Sequence, residues 1–209
     1  MQTGAQYHAH ILASRKDQVA RERFQKMALG LLLEGADVLD FGAGTGIDAK
    51  AYAAKGHRTF VYEPSQAMRE HLMQHCREAV ERGAVVAIDL PLSCKVQGVT
   101  ANFAVLNHFE EHAALFEDLA RVVTPGGFVL ASLLSPYYFR DAHHGWWRAN
   151  LLTLLRRGHY PSPGESRIHR FAPRVLERAA APHFRLERLV PRGLELAARQ
   201  YMFLLFRRT

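Results

Sequence analysis

Three alternating glycines, Gly42, Gly44 and Gly46, follow the buried-strand pattern Val38-Leu39-Asp40-Phe41 and precede a helix-like stretch, Ile47 to Ala54 (IDAKAYAA). Glycines at that spacing let the chain turn sharply and bring its backbone close to a ligand. The helix that opens behind them points free N–H groups at the same place. Glu63, one helix and one strand further on, offers two acceptor oxygens, which can meet the vicinal diol of a ribose without competing for its protons. The chemistry implied is capture of a nucleoside-type cofactor. A dinucleotide fingerprint needs G-x-G-x-x-G, whereas here the third glycine comes after one residue, which argues against NAD and FAD. Proton transfer has its own candidates: His108, His143 and His144 carry a ring that titrates near neutrality. No Asp/Glu or Cys at ligand spacing supports a metal beside the His143–His144 pair, and none is expected.

The run D-F-G-A-G-T-G (Asp40 to Gly46), together with Val61-Tyr62-Glu63-Pro64-Ser65, resembles the class I S-adenosylmethionine-dependent methyltransferases. The turn Thr124-Pro125-Gly126-Gly127 before an apolar strand is a further likeness. The resemblance implies that Asp40 and the loop residues Gly42, Ala43, Gly44 and Gly46 hold the amino-acid end of S-adenosyl-L-methionine. Glu63, with Pro64 after it, meets the ribose. Met68 packs on the adenine, and Asp89 sits near its amino group. A cap at the strand end for Asp40, a turn residue for Glu63, a core position for Met68 and no cofactor role for Asp89 are the other readings. Asn102 opens the exit from strand four, which faces the methyl-transfer centre because ligands of open α/β sheets bind beyond the carboxyl ends of the strands.

That exit, Asn102-Phe103-Ala104-Val105-Leu106-Asn107-His108, lacks the Asn/Asp-Pro-Pro-aromatic motif of enzymes that methylate base amines. N-F-x-x-L-N instead resembles a bacterial small-molecule branch. Methyl transfer from a sulfonium is direct substitution, so the protein chiefly aligns the reactants. A base is needed only for a protonated acceptor, and His108 is the best placed to supply one, ahead of His143 and His144.

The elements that must position these residues alternate as an α/β fold requires. Helical stripes are predicted over Val19 to Leu33 (ending at Gly35), Ala49 to Lys55, Ser65 through Ala79 to Glu81, Glu111 to Val123 and Arg174 to Ala181. Strands are predicted at Val38 to Phe41, Arg58 to Tyr62, Ala84 to Ile88, Val96 to Phe103, Phe128 to Leu134, Phe184 to Val190 and Gln200 to Arg207. With the resemblance, this implies a Rossmann-like three-layer sandwich: a mostly parallel seven-stranded sheet, an antiparallel C-terminal strand and a lid insertion after strand five. A single domain is expected over 1–209: an N-terminal helical region or lid (1–35), a cofactor core (36–136), an acceptor-side insertion without strand pattern (137–170) and a C-terminal helix and strands (171–209). Tyr7, His8 and His10 are candidates to close over the cofactor.

The chain has 209 residues and a formal net charge of +7. That length suits one α/β domain. Charge is uneven: residues 1–136 carry 13 Lys+Arg and 15 Asp+Glu, and residues 137–209 carry 14 and 5. The basic part suits nucleic acid, an anionic membrane surface or an acidic substrate, or is a solvated arginine-rich surface. Trp146-Trp147-Arg148, four leucines and Arg156-Arg157 form a short amphipathic stretch that either packs on the sheet edge or meets a membrane or greasy substrate. No run is long enough to span a bilayer and no signal segment is evident, so a cytoplasmic location is expected. Cys76 and Cys94 suit reduced thiols. The expected function is methyl transfer to an O- or N-centred small molecule with an apolar or aromatic body. An RNA-directed methyltransferase or accessory protein, and a silent binding module of the same fold, are the alternatives.

Overall fold

The computed structural model describes residues 13–163 and 168–209, together with Gln6 and Ala9. The N-terminal candidates Tyr7, His8 and His10 lie outside the described residues. In chain order the elements are α1 (Arg15–Leu29), β1 (Val38–Phe41), α2 (Ile47–Ala54), β2 (Thr59–Tyr62), α3 (Gln66–His75), α4 (Arg77–Glu81) and β3 (Val85–Ala87). Next come β4 (Val96–Ala101), a 3-10 helix (Val105–His108), α5 (His112–Val122) and β5 (Val123–Leu134). The insertion comprises a 3-10 helix (Phe139–His143), α6 (Gly145–Ala149), α7 (Leu151–Arg157), β6 (His159–Pro161) and β7 (His169–Phe171). The chain closes with α8 (Pro173–Ala180), β8 (Phe184–Val190), α9 (Glu195–Ala198) and β9 (Tyr201–Arg208).

The seven-stranded sheet has the order β3-β2-β1-β4-β5-β9-β8. Strands β1 to β5 run parallel, while β9 is antiparallel to both β5 and β8. This is the Rossmann-like architecture expected. Both faces of the sheet are covered, which is why its central strands read as continuous apolar runs. Leu39, Phe41, Val99, Ala131 and Leu204 face α5 and α8, packing with Phe116, Leu119 and Leu176. Val38, Phe128, Leu130, Phe203 and Leu205 face the other way, onto Phe24 and Ala28 of α1 and Tyr52 of α2. Neighbouring residues of one strand thus serve opposite layers, as the period of two dictates.

Several boundaries differ from the sequence expectations for identifiable reasons. Helix α1 starts earlier, where the Ser14 side chain accepts from Asp17 N–H, and ends at Gly30 rather than Gly35. The long helix after Glu63 is two helices: Cys76 breaks it, with its thiol directed at the Gly46 carbonyl 3.4 Å away. Burial pushes that thiol up to about 11, so it is not a nucleophile near neutrality. Strand β4 stops at Ala101, because Phe103 and Ala104 take left-handed backbone conformations with φ of 53° and 64°. The Pro125-Gly126-Gly127 turn lies within β5 as a bulge, opposite the register shift between Val96 and Gly98. The insertion, expected to lack strands, contains the antiparallel β6–β7 pair.

His112, at the start of α5, is buried and lies 2.9 Å from the Leu106 carbonyl through Nε2, so that nitrogen is the donor. Burial is the leading cause that lowers its imidazole below the ordinary range, and nearby His159 adds to it. The native state therefore binds fewer protons than the unfolded one between the folded and unfolded pKa values. Its contribution to stability is complete above about 6.5 and is lost as the pH falls through the lowered folded value. Urea unfolding of wild type and His112→Gln at pH 7.5 and 5.5 should show a shallower acid loss in the variant, whose amide donates without titrating. Parallel losses in the two proteins would exclude this role.

Candidate active site

A cleft of about 570 Å³ opens at the carboxyl ends of β1, β2 and β4. The strand order reverses between β1 and β4, so their exits diverge and leave a crevice. Its floor is the loop Gly42-Ala43-Gly44-Thr45 with Ile47 and Asp48 at the start of α2. One side is Tyr62, Glu63, Pro64, Ser65 and Met68; the other is Asn102, Phe103, Val105, His108 and Phe109.

The loop demands glycine at two points. Gly42 has φ +75°, and a Cβ there would lie 2.7 Å from the Val105 methyls. Gly46 has φ +80°, and its Cβ would come within 2.8 Å of Leu72 Cγ, so it lets the loop sit on α3. Glu63 is fixed by the loop it faces. Gly44 N–H donates to Oε2 at 2.8 Å and Ser65 N–H to Oε1 at 2.9 Å. Each oxygen has one bond to backbone and retains acceptor capacity for a diol. Ser65 stands at the N-cap of α3 but caps with no side-chain bond.

On the opposite side, Asp48 is buried within the first turn of α2, where a negative charge suits the helix dipole. It accepts from Arg21 at 2.5 Å, Gln25 at 2.6 Å and Asn102 at 3.0 Å, tying α1 and the β4 exit to the loop. The Arg21 guanidinium also lies 4.4 Å from the Phe103 ring centroid, and its Nε has no hydrogen-bond partner. Among the described Lys and Arg residues, Arg21 is the one on the cleft wall. Phe103 enters the cleft because of its left-handed backbone, with Asn102 Oδ1 accepting from its N–H at 2.9 Å. Such conformations cost on the order of 1–3 kcal/mol each and collect at functional sites.

Of the residues singled out from sequence, Gly42, Ala43, Gly44, Glu63, Pro64, Met68, Asn102 and His108 line this cleft. Asp40 does not. It is buried beneath the loop, accepts from the Thr100 hydroxyl at 3.3 Å, and leaves Oδ2 without a partner. Burial first, and then the charge of Asp48, holds its carboxyl well above the usual carboxylate range. Gly46 packs on α3 rather than facing the opening. Asp89 is exposed and pairs with Arg69 at 2.6 Å, away from the cleft wall. His143 and His144 are exposed in the insertion, their rings 3.8 Å apart, and they too lie outside the cleft wall. His108 stands at the rim, and partial desolvation lowers its imidazole below the ordinary range.

Sequence reasoning passed over Arg21 and Asp48. Asp48 carried a signal, an acid in the first turn of a glycine-initiated helix; Arg21 carried none, since its place depends on how α1 docks. The insertion reaches this site indirectly. Asn107 donates to the His169 carbonyl of β7 at 2.6 Å and accepts from Leu134 N–H at 3.1 Å, so β5, β7 and the 3-10 helix bearing His108 are joined at one side chain. None of residues 137–163 is part of the cleft wall.

These groups fit S-adenosylmethionine: a carboxylate with free acceptor sites for the ribose, a loop that admits close backbone approach, and a guanidinium on the cleft wall bonded to the start of α2. The methyltransferase domain family matches residues 12–181 of the chain. A ubiquinone biosynthesis O-methyltransferase from Agrobacterium fabrum is 29% identical over 129 residues, covering 60% of this chain and 52% of that protein. The chain thus matches about half the length of that curated relative. An S-adenosylmethionine-dependent methyltransferase from Clostridium acetobutylicum superposes with a TM-score of 0.65 at 14% identity, covering 96% of this chain and 97% of that one. The 1,6-didemethyltoxoflavin-N1-methyltransferase of Burkholderia thailandensis superposes with a TM-score of 0.64 at 17% identity, covering 97% and 83%. At these identities the solved structures speak to the fold.

Proposed function

The chain belongs to the methyltransferase domain family, and from that premise we propose that it transfers a methyl group from S-adenosylmethionine to an oxygen or nitrogen of a small molecule with an apolar or aromatic body. The observation that carries this reading is the composition of the cleft beyond Glu63: Phe41, Phe103, Val105 and Phe109 with one titratable ring, His108. Phe41 stacks on Tyr62 with centroids 5.1 Å apart and lies 5.8 Å from Phe109, so the aromatic surface is continuous. Such a wall favours a flat or greasy body and offers no row of cations for a phosphate backbone.

In this proposal Glu63 receives the ribose hydroxyls, Met68 and Pro64 flank the base, and Arg21 with Asn102 meets the amino-acid end. Asp40 has no contact with the cofactor in this proposal; it lies outside the cleft wall, bonded to Thr100. The cofactor supplies an electrophilic methyl on a sulfonium. The chain's own task is to orient the acceptor and, where the acceptor is a hydroxyl, to take its proton at a neutral His108 ring. The insertion sets acceptor preference by fixing the His108 segment through Asn107. The ubiquinone biosynthesis O-methyltransferase and the 1,6-didemethyltoxoflavin-N1-methyltransferase support the same reading.

The test is transfer of a labelled methyl from S-adenosylmethionine to pools of lipophilic phenols and amines, and separately to total RNA. Label in the small-molecule pool is expected. Label in RNA alone, with turnover that falls steeply with salt, would replace this reading with the RNA-directed one. Titration calorimetry adds a simpler expectation: S-adenosylmethionine and S-adenosylhomocysteine bind, and NAD does not.

A further inference from the structure

We propose that the outer face of α7 seats the protein on an anionic lipid surface. Helix α7 holds four leucines, and only Leu154 turns inward, onto Tyr160 and Ala172. Leu151, Leu152 and Leu155 are 38%, 64% and 70% exposed. Their spacing places all three on one side of the helix. Arg148 and Arg156 stand four residues before and after Leu152, so cations edge the apolar strip.

Loose packing does not explain the exposure, because the helix is fastened on its inner side. Tyr160 donates its hydroxyl hydrogen to the Pro136 carbonyl at 3.0 Å, and Trp147 Nε1–H donates to the same oxygen at 3.2 Å. Arg174 donates to the Leu155 carbonyl at 3.1 Å, and Gly158 ends the helix in a left-handed conformation. The Arg174 bond to the Leu155 carbonyl and the packing of Leu154 on Tyr160 and Ala172 hold α7 with its other three leucines outward.

The arginines are likewise unspent. Among the described residues no carboxylate pairs with Arg140, Arg148, Arg156 or Arg157. Asp141, the one acid in residues 137–163, is taken by Arg170 at 2.7 Å. Arg148 is held in place by the carbonyls of Ala142 and His143. An apolar strip flanked by cations that no described carboxylate neutralises complements a bilayer interface, where leucines enter the acyl boundary and arginines meet phosphates. A nucleic acid would engage the arginines and leave the leucines wet. A second copy docked on this face would bring like charges together.

Cosedimentation of the full chain with vesicles tests the proposal. Binding is expected to vesicles containing phosphatidylglycerol, with little to phosphatidylcholine alone, and it should weaken as salt rises. Leu152→Gln with Leu155→Gln should reduce it by about tenfold or more. Arg148→Gln and Arg156→Gln should each reduce it by about fivefold. These side chains are exposed, so circular dichroism and thermal unfolding should match wild type, and a variant that fails that check is replaced by the single Leu152→Ser. Equal sedimentation with both vesicle types, or leucine variants that bind as wild type does, would overturn the proposal. So would an absence of vesicle binding accompanied by a self-association that the leucine variants lose, or by a single-stranded RNA affinity that only the arginine variants lose.

Discussion

Glu63→Ala should weaken binding of S-adenosylmethionine and S-adenosylhomocysteine by about 1.5–3 kcal/mol, roughly 10- to 150-fold, while the protein stays folded. The carboxylate is oriented by Gly44 N–H and Ser65 N–H, one to each oxygen. Its remaining lone pairs are therefore aimed before any ligand arrives, and no side-chain freedom is lost on binding. Removal takes away two charge-assisted acceptors at once. Glu63→Gln separates charge from shape: an amide of nearly the same size has one acceptor, and its NH2 would oppose a backbone N–H. It should fall between wild type and alanine, with the larger part of the loss. Glu63 ends a strand at the cleft wall, and water can reach the two N–H groups it leaves, so the melting temperature should move little. Calorimetry on a variant with native circular dichroism decides the matter: a dissociation constant equal to wild type would remove Glu63 from the ribose site.

The fold was legible in the sequence wherever local chemistry and the buried pattern agreed. Val38-Leu39 before three glycines, and Phe128 to Leu134 after a proline and two glycines, read as parallel strands because both faces of this sheet are covered. Failures came where a tertiary contact overrode the local pattern. The helix after Glu63 looks continuous in its apolar stripe, but the glycine loop lies against Cys76 and Leu72 and the helix breaks there. The strand pair β6–β7 was missed because His159-Tyr160-Pro161 and His169-Arg170-Phe171 are each three residues long and show no alternation worth the name.

The site was legible in its cofactor half and less so in the other. Glycine spacing and a strand-end acid are local signals, and they put Gly42, Ala43, Gly44 and Glu63 on the cleft wall. Asp40 is instructive because its strand is right and its direction is not. Its side chain falls on the α1 and α2 face of β1, opposite Phe41, which enters the cleft. Strand pleat alone decides that, and it cannot be fixed from one sequence without knowing which residue ends the strand. Arg21 could not be found at all, since 27 residues separate it from Asp48.

Replacing His108 with alanine should lower turnover by about 100-fold or more on a hydroxyl acceptor and leave cofactor affinity nearly unchanged. His108 is at the cleft rim in the 3-10 helix after β4, on the side away from Glu63, so its loss does not touch the ribose. Desolvation lowers its imidazole below the ordinary 6.5, so the ring is neutral and able to accept a proton at pH 7. The sign of the pH dependence follows. The ring is competent above its lowered pKa and is lost as a base when the pH falls through that value, so the acid limb of kcat/KM should lie below 6.5. In His108→Ala that limb should vanish along with the rate. A histidine that only positions substrate would behave differently: KM would rise, kcat would hold, and the acid limb would persist in the variant. An amine acceptor that is already unprotonated needs no base, and with it the substitution should change kcat little. Running one phenol and one such amine on both proteins therefore separates the roles, and a 100-fold loss confined to the phenol is the result that assigns proton transfer to His108.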